Sequence, residues 1–155
     1  MLKDYPLVTE VVVRWGDMDL LGHVNNILYL QYFETARIEY MIRMGMDTPG
    51  PSWREYGLIL AASSCRFKAP VTFPDTLSVG ARVVAIGEDR MRLEHAAFSH
   101  KLGKIAAQGD ALLVSYDYVA GRRAPLHSDL RDAILAIEGR ELPSLPRHTR
   151  TRSIQ

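Results

Sequence analysis

The chain has 155 residues, 47% hydrophobic and 24% charged, the balance of an ordinary globular protein. That length makes one domain and excludes disorder, collagen-like repeats and disulfide scaffolds. Lys and Arg total 19 against 18 Asp and Glu, so a net charge of +1 leaves no global field that would argue for nucleic acid. The longest unbroken apolar runs, Leu58 to Ala62 and Ala133 to Ile137, fall far short of the ~20 residues of a membrane span. The N-terminal Met1-Leu2-Lys3-Asp4-Tyr5-Pro6 lacks the apolar stretch of a signal peptide. The lone cysteine, Cys65, excludes an internal disulfide and a cysteine-rich zinc site. The compartment these features predict is the cytoplasm.

In chain order, Leu7 to Arg14 is β-branched and partly alternating, which predicts a strand. A polar, glycine-containing turn from Trp15 to Asn25 leads into a long helical pattern. Ile27, Leu30, Phe33, Ala36, Tyr40 and Met44 recur three and four apart, one continuous apolar stripe. Asn25 is the predicted N-cap and Gly45 the residue tolerant of positive φ at the other end. The helix then spans about twenty residues, roughly 30 Å. Its first half is apolar nearly all round, which predicts enclosure by something larger than itself. Pro49, Gly50 and Pro51 make Asp47 to Tyr56 a loop with a short helical turn near Ser52 to Tyr56.

Everything after that loop has the pattern of sheet: Leu58 to Phe67, Leu77 to Ile86, Met91 to Ser99 and Ile105 to Tyr118. Turns at Gly87-Glu88-Asp89 and Leu102-Gly103-Lys104 join the later strands. Leu126 to Ile137 predicts a short C-terminal helix, and residues 141–155, with Pro143 and Pro146, a frayed tail beyond a single domain of residues 1–140. Strand, long helix, then four successive antiparallel strands is an α+β order. One helix cannot cover both faces of such a sheet, so the sheet must curl around it. The free sheet edge and the over-apolar helix both predict self-association.

The chemistry-bearing stretch is Arg14-Trp15-Gly16-Asp17-Met18-Asp19-Leu20-Leu21-Gly22-His23-Val24-Asn25-Asn26, followed by Tyr29 and Glu34-Thr35-Ala36-Arg37. A carboxylate, Asp19, stands a few residues before the start of a long helix. The first N–H groups of that helix lack internal acceptors and carry the positive end of its dipole. Such donors hold a carbonyl oxygen as negative charge develops on it. A carboxylate beside such a helix end is equipped to hydrolyse an acyl group.

This pattern resembles the hotdog-fold acyl-CoA thioesterases of the 4-hydroxybenzoyl-CoA thioesterase-like family. The resemblance rests on D-x-D-x-x-G-H-V-N-N-x-x-Y with the E-x-A-R continuation and on Arg66-Phe67-Lys68-Ala69-Pro70, and with the strand order it extends over Leu7 to Tyr118. It implies a hotdog fold: one long helix wrapped by a curved antiparallel β-sheet, with a short C-terminal helix. It implies hydrolysis of acyl-CoA thioesters, or of acyl carrier protein thioesters, to a free acid and a thiol. Asp19 is then the catalytic carboxylate, general base or nucleophile, and the Asn26 backbone N–H polarises the thioester carbonyl. His23 belongs to the same catalytic set, where ordering the loop outweighs proton transfer. Asn25 and Tyr29 border the substrate, and Ser63 and Ser64 of the second strand face the thioester from the other subunit. A homodimer follows, with a homotetramer common in this fold. The resemblance implies no cofactor.

Each residue also has a plainer role. Asp17 hydrogen-bonds its own turn, as Asp often does. Glu34 and Arg37, three apart, form an intrahelical ion pair. Cys65, in an apolar strand, is a small buried hydrophobe rather than a nucleophile. Asp17, Asp19 and His23 lack the further ligands of a metal site. The CoA phosphates need cations, for which Arg90 and Arg92 on one strand face and Lys101 and Lys104 in the next hairpin are candidates, with plain solvated charge the competing role of each. Two other functions remain open: a non-catalytic acyl-CoA binding module, and a hotdog dehydratase, whose His-plus-acid arrangement is not present as a motif.

Overall fold

Alternating apolar residues build one antiparallel sheet in the computed structural model, which describes residues 2–46 and 57–146. In chain order the elements are β1 (Leu7–Val13), a single 3-10 turn (Trp15–Asp17), α1 (Asn26–Arg43), β2 (Gly57–Phe67), β3 (Asp75–Ile86), β4 (Arg90–Ser99), β5 (Lys104–Asp117), β6 (Arg122–Arg123) and α2 (Ser128–Glu138). The strand order is β1-β3-β4-β5-β2, with the short β6 on β5. The expected helical turn near Ser52 to Tyr56 lies outside the described residues.

The sheet curls around α1, which packs against β1, β2, β3 and β4. Register shifts between Leu60 and Ala62, Val83 and Ala85, and Ala97 and Phe98 supply the bends, since each bulge adds local twist. The pleat turns Leu77, Val79, Ala81 and Val83 of β3 and Met91, Leu93 and Ala97 of β4 to the helix, all fully buried. Gly109 on β5 makes the closest approach possible. A Cβ there would stand 2.5 Å from the Phe33 ring and from the Ser64 carbonyl. This long helix in a curved antiparallel sheet, with a short C-terminal helix, is the hotdog arrangement. Among the described residues no helix is long and apolar enough to cross a membrane.

Two expectations change. The buried side of α1 is Tyr29, Tyr32, Phe33, Ala36, Arg37, Tyr40 and Met41, with Met44 beyond it, whereas Ile27 and Leu30 are 66% and 42% exposed. Because the first half of the helix is apolar on every side, spacing alone does not say which stripe meets the sheet. The second concerns the tail. Ile86 bonds Pro143 and Leu145 through its N–H and carbonyl at 3.0 Å each, and Leu145 packs over Gly87. Residues 141–146 are therefore docked at the end of β3 rather than frayed.

Candidate active site

The loop between β1 and α1 is built almost wholly from its own hydrogen bonds. Asp17 Oδ2 accepts the Arg14 N–H at 2.8 Å and the Tyr32 hydroxyl at 2.9 Å, tying the 3-10 turn to the helix. Burial and the Asp17 carboxylate both push the Tyr32 phenol up, so it stays a donor. Met18 bridges Val24, and inside that bridge the Asp19 N–H donates to the His23 carbonyl at 2.9 Å. The Gly22 N–H returns to the Asp19 carbonyl at 3.0 Å, a turn that puts Gly22 at φ +76°, where glycine alone is comfortable. Val24 N–H to Val71 fastens the loop to the core and Asn25 N–H to Asp17 closes it on itself, both at 2.8 Å.

Asp19 sits at the tip of this loop. Its Oδ1 accepts the Leu21 N–H at 2.8 Å, while Oδ2 has no partner among the described residues. Asn25 caps α1 as the sequence predicts, its Oδ1 accepting the Ile27 N–H at 3.2 Å and its carbonyl the Leu28 N–H at 3.0 Å. The Asn26 N–H is left in the first turn with no acceptor among the described residues. Asp19, His23 and Asn26 are all exposed, and so are the neighbouring Leu20, Leu21 and Ile27.

The other candidates scatter. Tyr29 is a core residue, edge-on to Tyr32 at 5.9 Å and to Phe67 at 5.3 Å. Ser63 faces the helix from β2, whereas Ser64 turns to the outer face and donates to Asp110 at 3.3 Å. Lys101 lies on the loop's side, its Nζ 3.0 Å from Thr72 Oγ1, next to the Val71 that holds Val24. Arg90 departs from its expected role. It is buried and clamped by Asp89 at 2.6 Å under the Gly87 turn, a structural ion pair with no donor face to spare for a phosphate. Arg92 pairs with Asp110 at 2.6 Å, roughly 23 Å along β4 from Ser99, the strand end nearest the loop. The Cys65 thiol is pushed up to about 11 by burial, as befits a packed, inert side chain. Among the described residues no cluster of His, Cys, Asp or Glu could hold a metal ion.

Beyond the first turn of α1 a groove of about 380 Å³ opens between the helix and the free edge of the sheet. Leu30, Phe33, Leu60 and Ala111 give it apolar walls; Gln31, Glu34, Ser63 and Asp110 also line it, and Arg37 and His95 are its buried polar groups. His95 lies outside the motif, and Arg37 is the last residue of its E-x-A-R continuation. Arg37 was assigned only to Glu34, which it does meet, at 3.6 Å. Its sequence phase was nevertheless informative: an arginine four residues after Phe33 occupies the buried stripe of the helix.

A long helix in a curved sheet, with a carboxylate-bearing loop and a helix N-terminus at one end, is the hotdog arrangement with a candidate site at the helix start. Residues 13–134 match the Thioesterase-like superfamily, and the chain belongs to that family. It is similar to a Thermus thermophilus thioesterase crystallised with coenzyme A and zinc, at 35% identity and TM-score 0.79, covering 90% of this chain and all of that one. It is 29% identical over 148 residues to the L-carnitine dehydrogenase/betainyl-CoA thioesterase of Agrobacterium fabrum. That match takes in 94% of this chain but only 30% of the length of the curated relative. A 1,4-dihydroxy-2-naphthoyl-CoA thioesterase from Synechocystis shares the fold at TM-score 0.72 and 21% identity, over 83% of this chain and 94% of that one.

Proposed function

We propose that the protein hydrolyses acyl-CoA thioesters at Asp19, with the Asn26 backbone N–H as the oxyanion donor. The observation that carries this reading is a carboxylate oxygen, Asp19 Oδ2, followed seven residues later by a helix-start N–H, neither with a partner among the described residues. In one route Asp19 takes a proton from water as the water oxygen attacks the thioester carbon. In the other the carboxylate attacks and water cleaves the resulting mixed anhydride. Either way the carbonyl oxygen gains charge opposite the Asn26 N–H, and the C–S bond breaks to release the CoA thiolate. Thiolate is a good leaving group, so no Ser-His-Asp triad is required. His23 shapes the loop through its carbonyl, and Asn25 holds the helix start in place.

The functional unit in this reading is a homodimer. β2 pairs only with β5 among the described residues, leaving an eleven-residue edge with Leu60 and Phe67 exposed. A long, proline-free apolar edge is a template for pairing with another strand, and a second copy supplies one. Such pairing would also cover the exposed loop around Asp19 and bring the partner's β2 toward it. Lys101, on the loop's side of the sheet, is the best-placed of the candidate cations for a CoA phosphate.

The test is release of free thiol from a panel of short, long and aromatic acyl-CoAs by wild-type protein and by Asp19→Asn. Thiol release that falls 10²- to 10⁴-fold in the variant is the expected result. Undiminished release would remove Asp19 from the chemistry, and binding without release would make the protein an acyl-CoA binding module. Solvent ¹⁸O found in the Asp19 carboxylate after a single turnover would select the anhydride route.

A further inference from the structure

The groove beside α1 holds two buried polar side chains whose hydrogen-bonding needs no other described residue meets. His95 is 1% exposed, and neither of its ring nitrogens has a hydrogen-bond partner among the described residues. The Gly80 carbonyl is near enough to favour its cation but does not complete a bond. Its ring stacks flat on Phe33, 5.2 Å between centroids, which fixes its plane along the groove wall. Arg37, 6% exposed, projects from the same helix face. Among the described residues its guanidinium reaches only Glu34, at 3.6 Å, beyond hydrogen-bonding distance, and that carboxylate is 59% exposed. Five N–H donors on a planar cation thus have no acceptor in bonding range among the described residues. Buried polar groups in proteins are nearly always satisfied, and exceptions call for a ligand or a function.

We infer that this groove is the acyl pocket's polar end, and that the preferred substrates are thioesters whose acyl chain carries a second carboxylate. The inference rests on the thioesterase reading and adds the substrate class to it. A carboxylate takes two parallel N–H donors from an arginine fork and pairs its charge in a water-poor site. One of its oxygens can also accept from the neutral His95 ring. The walls, Leu30, Phe33, Leu60 and Ala111, suit the methylenes between the two ends. Arg37 is eleven residues beyond Asn26 on α1, about 16 Å at 1.5 Å per residue, and helical side chains lean back toward the N-terminus. The span between thioester and carboxylate is therefore several methylenes, with Asn26 at one end and Arg37 at the other. A cationic acyl group is the wrong sign for Arg37, and a plain fatty acyl group leaves both polar residues unsatisfied.

The test compares kcat/KM for dicarboxylic mono-CoA esters of four to ten carbons with fatty acyl-CoAs of the same lengths and with 4-trimethylammoniobutyryl-CoA. At its best length the dicarboxylic ester should exceed its fatty counterpart by 10-fold or more. Arg37→Met should bring that ratio to about one, and His95→Phe should lower it severalfold. Calorimetric titration of Asp19→Asn with the same esters reads the pocket apart from the chemistry, and should show the same order of affinity. Fatty or cationic esters equal to or better than dicarboxylic ones at every length, in both wild-type rates and calorimetry, would overturn the proposal while leaving the hydrolase intact. Preferential binding of dicarboxylic esters without thiol release would do the reverse. If Arg37→Met does not fold, the wild-type panel and the His95→Phe ratio still decide.

Discussion

The two ends of α1 are built on opposite principles. At its N-terminus the loop from Arg14 to Asn25 is closed by backbone hydrogen bonds, and the side chains proposed to carry chemistry, Asp19 above all, stand exposed. At its far end Tyr40 is fully buried and donates at 2.7 Å to Glu138, which also accepts the Val83 N–H at 2.6 Å, so one carboxylate oxygen joins α1, α2 and β3. The first end can lose a side chain without disturbing the fold. The second cannot. Function and stability are thus separable along a single helix, and substitutions at each end should show it.

The largest expected effect is also the cleanest separation. Asp19→Asn removes a carboxylate whose only side-chain bond among the described residues is to the exposed Leu21 N–H, a bond the amide oxygen can keep. Its thermal midpoint should match wild type while thiol release falls 10²- to 10⁴-fold, about 3–5 kcal/mol of barrier. A midpoint lowered by several degrees would mean that the loop is tied to the core more tightly than its hydrogen bonds indicate.

Between the ends lies the sheet-facing middle, where Gly109 admits the Phe33 ring. Gly109→Ala places a methyl 2.5 Å from both that ring and the Ser64 carbonyl, one of which must move. Overpacking of this kind costs about 1–3 kcal/mol, and here the larger value applies because backbone is involved. Chemical denaturation should show the loss, together with movement of β2 away from β5. An unchanged midpoint would mean that the helix can slide outward freely.

His95 in the same region adds a pH dependence of definite sign. Burial first, and the nearby Arg37 second, pull its imidazole down to about 4, against an unfolded value near 6.5, with the Gly80 backbone and then Asp110 opposing. Above pH 6.5 the ring is neutral in both states and contributes no slope. As the pH falls from 6.5 to 4 the unfolded chain binds a proton that the folded chain refuses, and stability drops by about 2–3 kcal/mol. Denaturation of wild type and His95→Phe at stepped pH isolates this contribution, which the variant should lack. Parallel curves would show that His95 gains its proton without unfolding.

Much of the exposed end was legible in the sequence because its structure is local. An Asn before an apolar run caps a helix, Asp17 bonds its own turn, and a glycine three residues past Asp19 marks positive φ. Each is a short-range rule. The long strands and the curl of the sheet also follow from pattern and length, whereas the pairing of β1 with β3 and of β2 with β5 does not. What sequence did not reveal depends on partners far along the chain. Ile27 and Leu30 have the spacing of core residues, but the sheet lies over Tyr29 and Tyr32 instead. Arg90 has the look of a free cation until Asp89 and the Gly87 turn close over it. Pro143 and Leu145 look like tail until Ile86 offers them both of its backbone groups. His95 has no partner pattern to recognise, because no described residue hydrogen-bonds its ring.

Tyr40→Phe is the smallest of these changes and the sharpest control for the comparison. It deletes one oxygen from a buried ring and leaves the packing of that ring in place. Burial and Glu138 together push the Tyr40 phenol well above its ordinary range, so at any physiological pH the hydroxyl is a donor to a carboxylate. A hydrogen bond to a charged acceptor contributes about 1.5–3 kcal/mol, and the Val83 N–H still bonded to Glu138 offsets part of the loss. The expected result is a destabilisation of about 1–2 kcal/mol with kcat/KM unchanged, because Tyr40 is fourteen residues, about 21 Å of helix, from Asn26. A variant that kept its stability but lost rate would mean that α1 transmits strain from its locked end to its open one.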